Sequence, residues 1–242
     1  MKKYLWIPNW TIHENIFTEL NQNKIDGVYL YGNIGYQTVQ DFKAAGFKTF
    51  ISVPCFEILD PDENFGEAFN EVAQATDKDP DGIILDFIRY RDPNICNIFK
   101  TKTILRFCKQ AKKITKKLKM TNLIPFLWLV AQDPFRMKKM GTLCPMLYGN
   151  NTTPHMTSIQ IKFWMWFYKK IVKADLEPCI RFWDTNEQIF EEQLRAIGDS
   201  NYSLFRYAPD IPNWRWNPCT VSTATLPPCG GPERSLSVLD AV

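Results

Sequence analysis

The chain has 242 residues with 45% hydrophobic, 14% aromatic and 23% charged content and a formal charge of +3, which fits one folded domain with a sizeable core and is too mild a charge to argue for nucleic acid. No stretch approaches the ~18 to 20 consecutive apolar residues of a membrane-spanning helix, and 11 scattered glycines against 16 prolines exclude collagen-like and linker proteins. Eight tryptophans are the first positive clue, since such an aromatic excess serves either a core or a surface on which sugars or bases stack.

At the N-terminus, Met1-Lys2-Lys3 leads at once into Tyr4-Leu5-Trp6-Ile7, with no small-residue cleavage site. A signal peptide is therefore not expected, and the chain is expected to be cytoplasmic as synthesised, with lysis or carriage on a virion as routes out. Short apolar runs predict strands at 3–8, 27–31, 48–54, 82–89, 122–129, 143–147, 177–183 and 202–207. Between them, helical spacing predicts helices at 13–22, 36–45, 65–75, 98–119, 134–139, 157–174 and 186–197. Start and stop signals support several: Asp62 to Asn64 before the third, Gly46 after the second, Thr185 with Gln188 before the last and Gly198 after it.

Strict alternation implies parallel strands joined by crossover helices, and eight such units in ~250 residues fit a closed (β/α)8 TIM barrel. No glycine-rich phosphate fingerprint follows any strand, so no nucleotide cofactor is expected. The barrel is expected to span 1–207; residues 208–242, with six prolines and no period, read as an irregular tail rather than a second domain. Between Lys100 and Lys119 lie nine Lys or Arg and no acid, interleaved with Ile104, Phe107, Cys108, Ala111, Ile114 and Leu118. This predicts an amphipathic helix whose basic outer face is solvated or weakly attracted to an anionic polymer. Seven cysteines without a C-x-x-C pair, and only His13 and His155, give no metal site. Most thiols are expected to be buried and reduced, with Cys219 and Cys229 in the tail as a local disulfide in an oxidising compartment. The aromatic stripe Phe163, Trp164, Trp166, Phe167 is expected to pack on the barrel or, in part, on a partner.

In such barrels the active site lies at the carboxyl ends of the strands. The fourth strand, Asp81-Gly82-Ile83-Ile84-Leu85-Asp86-Phe87-Ile88-Arg89-Tyr90, is apolar except for Asp86 and Arg89 near its end, and a carboxylate buried there is costly unless paired or functional. This decapeptide resembles the D-G-[IV]-x-[LF]-D-[YF]-I-R-[FY] signature of poorly characterised glycoside-hydrolase-like barrel families, and more distantly the fourth-strand motif of family 18 chitinases. Gln132-Asp133-Pro134 followed by Pro145-Met146-Leu147-Tyr148-Gly149 resembles their G-Q-[DN]…P-M-x-Y segment, and 177–207 echoes their last strands diffusely. The resemblance implies a barrel with Asp86 as catalytic carboxylate. The chain also departs from it: Ile88 stands where chitinases carry their general-acid glutamate, and Cys179, Ile180 and Arg181 replace a W-x-Q pattern.

Glycoside hydrolysis normally needs two carboxyl groups. Asp133 and Asp184 are the best-placed partners for Asp86, with Glu57 behind them, although Asp133 and Asp184 each also suit a helix N-cap. Arg89 and Arg206 would hold Asp86 ionised, which suits a nucleophile. Sugar-binding candidates at the strand ends are Trp6, Asn9 and Trp10, Tyr31, Trp128, Tyr148 and Asn150, and Trp183, with Arg89, Arg181 and Arg206 as polar contacts. The expected function is hydrolysis of a polysaccharide or glycan without cofactor or metal; the alternative is a non-catalytic carbohydrate-binding or structural barrel. A nucleic-acid partner is not expected.

Overall fold

The computed structural model describes residues 1–124, 127–147, 156–181 and 187–205, apart from the side chains of Arg181 and Glu187. The expected tail at 208–242 lies outside the described residues. Eight parallel strands, β1 (Lys3–Pro8), β2 (Gly27–Tyr31), β3 (Lys48–Pro54), β4 (Gly82–Asp86), β5 (Leu118–Asn122), β6 (Thr142–Pro145), β7 (Cys179–Arg181) and β8 (Tyr202–Phe205), form one sheet in the order β6-β5-β4-β3-β2-β1-β8-β7. Its two ends meet through parallel bridges from Leu143 to Leu176 and Met146 to Cys179, where the Leu147 N–H donates to the Cys179 carbonyl at 2.9 Å. The helices α1 (Ile16–Gln22), α2 (Tyr36–Ala44), α3 (Pro61–Asp77), α4 (Thr101–Ile114), α5 (Pro134–Met137), α6 (Ser158–Trp166) and α7 (Glu187–Ile197) lie between the strands. The chain is a (β/α)8 barrel.

Alternation along each strand divides the core into two shells. Leu5, Ile7, Val28, Leu30, Ile83 and Leu85 belong to the large outer cluster beneath the helices, while Tyr4, Trp6, Tyr29, Phe50, Ile84, Cys144 and Cys179 fill the lumen. Both faces are buried, which is why the strands read as near-continuous apolar runs. Two Asp-Gly pairs fasten the floor. Asp26 accepts the Lys3 N–H at 2.8 Å and Asp81 accepts the Thr49 N–H at 2.9 Å, each tying the start of an even strand to its odd neighbour. A Cβ on Gly27 or Gly82 would fall 2.5 Å from the carbonyl of Lys48 or Lys117 and under 3 Å from the Tyr4 or Phe50 ring, so only glycine fits under those rings.

One strand lies elsewhere than expected. β5 occupies Leu118–Asn122 instead of 122–129, and the long basic helix is a 3-10 turn (Ile95–Lys100) followed by α4, ending at Ile114. Lys119 therefore leaves the basic face and enters the lumen. There its Nζ donates to Glu177 Oε2 at 2.6 Å and to the Tyr29 hydroxyl at 2.5 Å, Tyr29 donates to Glu177 Oε1, and the ammonium lies 4.1 Å from the ring centres of both Tyr4 and Phe50. Burial pulls the Lys119 ammonium down and pushes the Glu177 carboxyl up, each toward its neutral form; the ion pair and the Tyr29 hydroxyl resist that drift.

Local chemistry sets the helix starts that matter here. α3 begins with Pro61 at its first position and Asp62 and Glu63 in its first turn, and α6 with a Thr157–Gln160 capping box. α6 widens into a π-helical turn over Phe167–Val172, which ends at Lys173 in the left-handed region. This splits the aromatic stripe: Met165 and Tyr168 are buried, whereas Phe163 and Trp166 are about half exposed. Four of the five described cysteines, Cys55, Cys108, Cys144 and Cys179, are buried, and no disulfide joins the described residues; Cys219 and Cys229 lie outside them.

Candidate active site

Asp86 is the last residue of β4 and points into the lumen at the mouth. Its Oδ1 accepts the Phe87 N–H at 2.9 Å and the Thr121 hydroxyl at 2.8 Å. Oδ2, with no hydrogen-bond partner among the described residues, is the oxygen a bound molecule reaches. Burial raises the Asp86 carboxyl above its ordinary value; the two hydrogen bonds and the Arg89 charge act against this, and the Glu57 charge adds to it. Desolvation at a carboxyl that is 7% exposed is the larger influence and the Arg89 charge opposes it; Arg206, the second arginine expected to hold Asp86 ionised, lies outside the described residues. No ion pair within 4 Å joins Asp86 to Arg89. Instead the Arg89 Nη1 donates to the Arg91 carbonyl at 3.0 Å and the guanidinium lies 5.3 Å from the Phe87 ring centre.

The residues around Asp86 explain the fourth-strand pattern one by one. Asp81 and Gly82 belong to the floor described above. Phe87 takes φ +49°, a conformation that a bulky side chain rarely adopts, and this turns the chain sharply out of β4 while its N–H stays on Asp86. Tyr90 donates to Asp62 Oδ1 at 2.8 Å and its N–H donates to the Val130 carbonyl at 3.1 Å, anchoring the loop to α3 and to the segment after β5.

The Gln132-Asp133-Pro134 segment is equally structural. Gln132 is buried; its Nε2 donates to the carbonyls of Thr121 at 2.9 Å and Ile88 at 3.4 Å, and its Oε1 accepts the Leu123 N–H at 2.8 Å. It thereby staples the exit of β4 to that of β5 and fixes Thr121 against Asp86. Asp133 caps α5, accepting the N–H groups of Phe135 and Arg136 through Oδ1, and pairs with the Arg136 Nε at 3.3 Å through Oδ2. Pro134 takes the first helical position. Asp133 is thus committed to a cap and does not line the cavity that holds Asp86.

That cavity, about 400 Å³, opens at the carboxyl ends of β1 to β4 and β8. Trp6, Trp10, Tyr31, Phe87 and Phe205 form its aromatic walls, and Ser52, Glu57 and Asp86 supply its side-chain polar groups. Trp6 is 1% exposed and packs against Tyr29, Tyr31 and Phe205, so it forms the floor rather than an open platform. Its Nε1 has no hydrogen-bond partner. Trp10 is 66% exposed and stands edge-on to Tyr31 at 5.5 Å, a wall open to a ligand. Glu57, on the turn after β3, is exposed and is the second carboxylate of the cavity.

Of the residues expected here, the structure brings together Asp86, Glu57, Trp6, Trp10 and Tyr31. Asn9 starts a 3-10 turn after β1 and is not among the lining residues. Trp128 lies in another 3-10 turn, Leu127–Val130, edge-on to Phe167 at 6.4 Å and outside the cavity, a consequence of the shifted β5. Tyr148, Asn150, Trp183, Asp184 and Arg206 lie outside the described residues, as does the Arg181 side chain. Ser52, Thr121 and Phe205 were not anticipated. Alternation on β3 and β8 carries the signal for Ser52 and Phe205, while Thr121 was hidden by the misplaced strand. Among the described residues there is no group of three metal-ligating side chains, and no helix is long and apolar enough to cross a membrane.

No protein-family model matches the chain, and no curated protein matches it. Among solved structures it is similar to the catalytic domain of β-amylase from Paenibacillus polymyxa, with 10% identity, a TM-score of 0.57 and coverage of 85% of this chain and 92% of that one. It is also similar to a sugar phosphate isomerase/epimerase from Parabacteroides distasonis, with 13% identity, a TM-score of 0.55 and coverage of 89% and 91%. The catalytic domain of a hyperthermophilic chitinase from Pyrococcus furiosus follows with 9% identity, a TM-score of 0.51 and coverage of 85% and 83%. At these identities the likeness is one of fold: this chain is a (β/α)8 barrel of a kind found in glycoside hydrolases and in enzymes of other classes.

Proposed function

We propose that the protein is a glycoside hydrolase acting on a polysaccharide or glycan, with Asp86 as general acid and Glu57 as the second carboxylate. The observation that carries this is the pairing of a buried and an exposed carboxylate in one aromatic-walled cavity at the catalytic end of the barrel. Glycosidic cleavage asks for two carboxyl groups in opposite protonation states, and unequal environments are how a single site supplies them. Burial beside Phe87 favours the protonated form of Asp86, which as general acid would offer its proton from Oδ2 to the departing sugar oxygen. Glu57, facing solvent, acts as nucleophile or as base toward water. Trp10 and Tyr31 present ring faces and edges to a pyranose, and Ser52 offers a donor to its hydroxyls. Lys119, although a buried amine in the same lumen, is locked to Glu177 and Tyr29 and does not line the cavity.

The test is a polysaccharide panel assayed for new reducing ends with wild type, Asp86→Asn and Glu57→Gln. Asparagine keeps an oxygen for Thr121 and Phe87 but has no acidic proton, so each variant is expected to lose about 10²- to 10⁴-fold in kcat. Full activity in either variant removes that residue from its role, and wild-type silence across the panel overturns the reading.

A further inference from the structure

Away from the mouth, α4 and α5 enclose a groove of about 670 Å³ on the outside of the barrel. Lys102, Arg106, Lys109 and Lys112 line it from α4, and Arg136 and Lys139 from the other side, over an aliphatic base of Leu105 and Met140. The four α4 cations recur every three or four residues along one face and span ~15 Å. The groove contains no acidic residue. Among the described residues, no carboxylate lies within 4 Å of Lys102, Arg106, Lys109, Lys112 or Lys139; Arg136 alone is paired, with Asp133. Elsewhere some surface lysines are paired: Lys43 and Lys116 with Asp79, Lys48 with Asp81 and Lys100 with Asp62.

Such an arrangement works against folding. Like charges four apart on a helix repel, and Lys102 in the first turn opposes the helix dipole. A bound polyanion relieves both. Crossover helices run back antiparallel to the strands, so α4 and α5 begin at the rim that carries Asp86, and the groove leads from that rim down the flank. No aromatic side chain lines it, which removes the stacking platform on which single-stranded nucleic acids rely.

We infer that the α4–α5 groove binds an anionic glycan, a polymer bearing carboxylates along its length, and holds it beside the mouth. The inference rests on the hydrolase reading for the identity of the polymer, and its test needs no turnover. Binding of alginate, a uronic-acid polymer, is measured by affinity electrophoresis at 50 and 200 mM salt, with single-stranded DNA as the competing polyanion. Wild type is expected to bind alginate more tightly than DNA and to lose on the order of tenfold or more in affinity between the two salt concentrations. Lys102→Gln/Lys109→Gln/Lys139→Gln is expected to lose at least tenfold at low salt with an unchanged melting temperature, since all three side chains are exposed, whereas the Lys112 Nζ, which donates to the Lys139 carbonyl at 2.7 Å, is left in place. Salt-insensitive binding, a triple variant that binds as wild type does, or tighter binding of DNA overturns the inference. A protein that binds alginate but cleaves no polymer refutes the hydrolase and leaves the groove; one that cleaves neutral polymers without affinity for alginate refutes the groove alone.

Discussion

Replacing Lys119 by Met removes the cation that, among the described residues, pairs with Glu177 inside the lumen, while keeping a side chain that packs well among Tyr4, Tyr29 and Phe50. Burial alone moves the Glu177 carboxyl from its ordinary 4.5 up to about 8. In the variant it therefore stays protonated at pH 7, and holding that proton costs about 3 kcal/mol at about 1.36 kcal/mol per pH unit above 4.5. A loss of that size agrees with the roughly 3–5 kcal/mol typical of breaking a buried pair. At ~2–4 °C per kcal/mol for a chain of this size, the melting temperature at pH 7 is expected to fall by about 6 to 12 °C. The sign with pH follows from the raised carboxyl. Its neutral form is accommodated without penalty below the unfolded value, and stability is lost as pH rises toward the folded value, so the deficit shrinks toward about 1 kcal/mol at pH 4. The double variant Lys119→Met/Glu177→Leu removes both charges and is expected to recover most of the loss. Thermal melts of the three proteins at pH 4 and pH 7 decide the matter. A single variant within about 0.5 kcal/mol of wild type, an equal loss at both pH values, or a double variant no better than the single one refutes the reasoning.

The same linkage applies at the mouth with a different readout. Because burial raises the Asp86 carboxyl, wild type is expected to lose stability relative to Asp86→Asn as pH rises through the folded value of Asp86, the difference vanishing below the ordinary aspartate range; melts from pH 3 to 9 check this. Gln132→Met leaves the Leu123 N–H and the Thr121 and Ile88 carbonyls without their partner and is expected to cost at least ~2 kcal/mol in urea unfolding. Activity is also expected to fall, because Thr121 loses its anchor beside Asp86. Trp10→Ala removes an exposed wall and is expected to raise KM several-fold with little effect on kcat or stability, as steady-state kinetics on any cleaved polymer will show.

Much of the fold was legible because its strands obey two plain rules. Three of the first four, β1, β2 and β3, run over the residues expected, since each is a short apolar run bounded by Gly, Pro or a charged residue. β5 was not legible. Lys119 continues the basic spacing of α4, and nothing local marks it as buried; its burial depends on Glu177, 58 residues away. That one-strand shift carried Trp128 to a place it does not occupy and hid Thr121. At the site, Asp86 stands out as a carboxylate buried in an apolar strand. Asp133, expected as its partner from the Gln132-Asp133-Pro134 resemblance, also suits a cap directly before a proline, and the structure uses it as one. Glu57, expected behind Asp133 and Asp184, enters the cavity because β3 and β4 are neighbours in the sheet.

Among the described residues, Lys119, Glu177 and Asp86 lie deep in the lumen among aromatics, and their treatment differs with depth. Lys119 and Glu177 neutralise one another below, with Tyr29 completing both, so neither is available to a ligand. Asp86, higher up, has hydrogen bonds to one oxygen only, and no ion pair to either, among the described residues. Selection for stability alone would either pair Asp86 in the same way or replace it with an apolar residue, as the sequence does at Ile84 on the same face of the same strand. The floor shows that this sequence can complete a buried charge when the barrel requires it. An aspartate with one oxygen unpartnered among the described residues, in the cavity it shares with Glu57, Trp10 and Phe87, is what the proposed acid role requires.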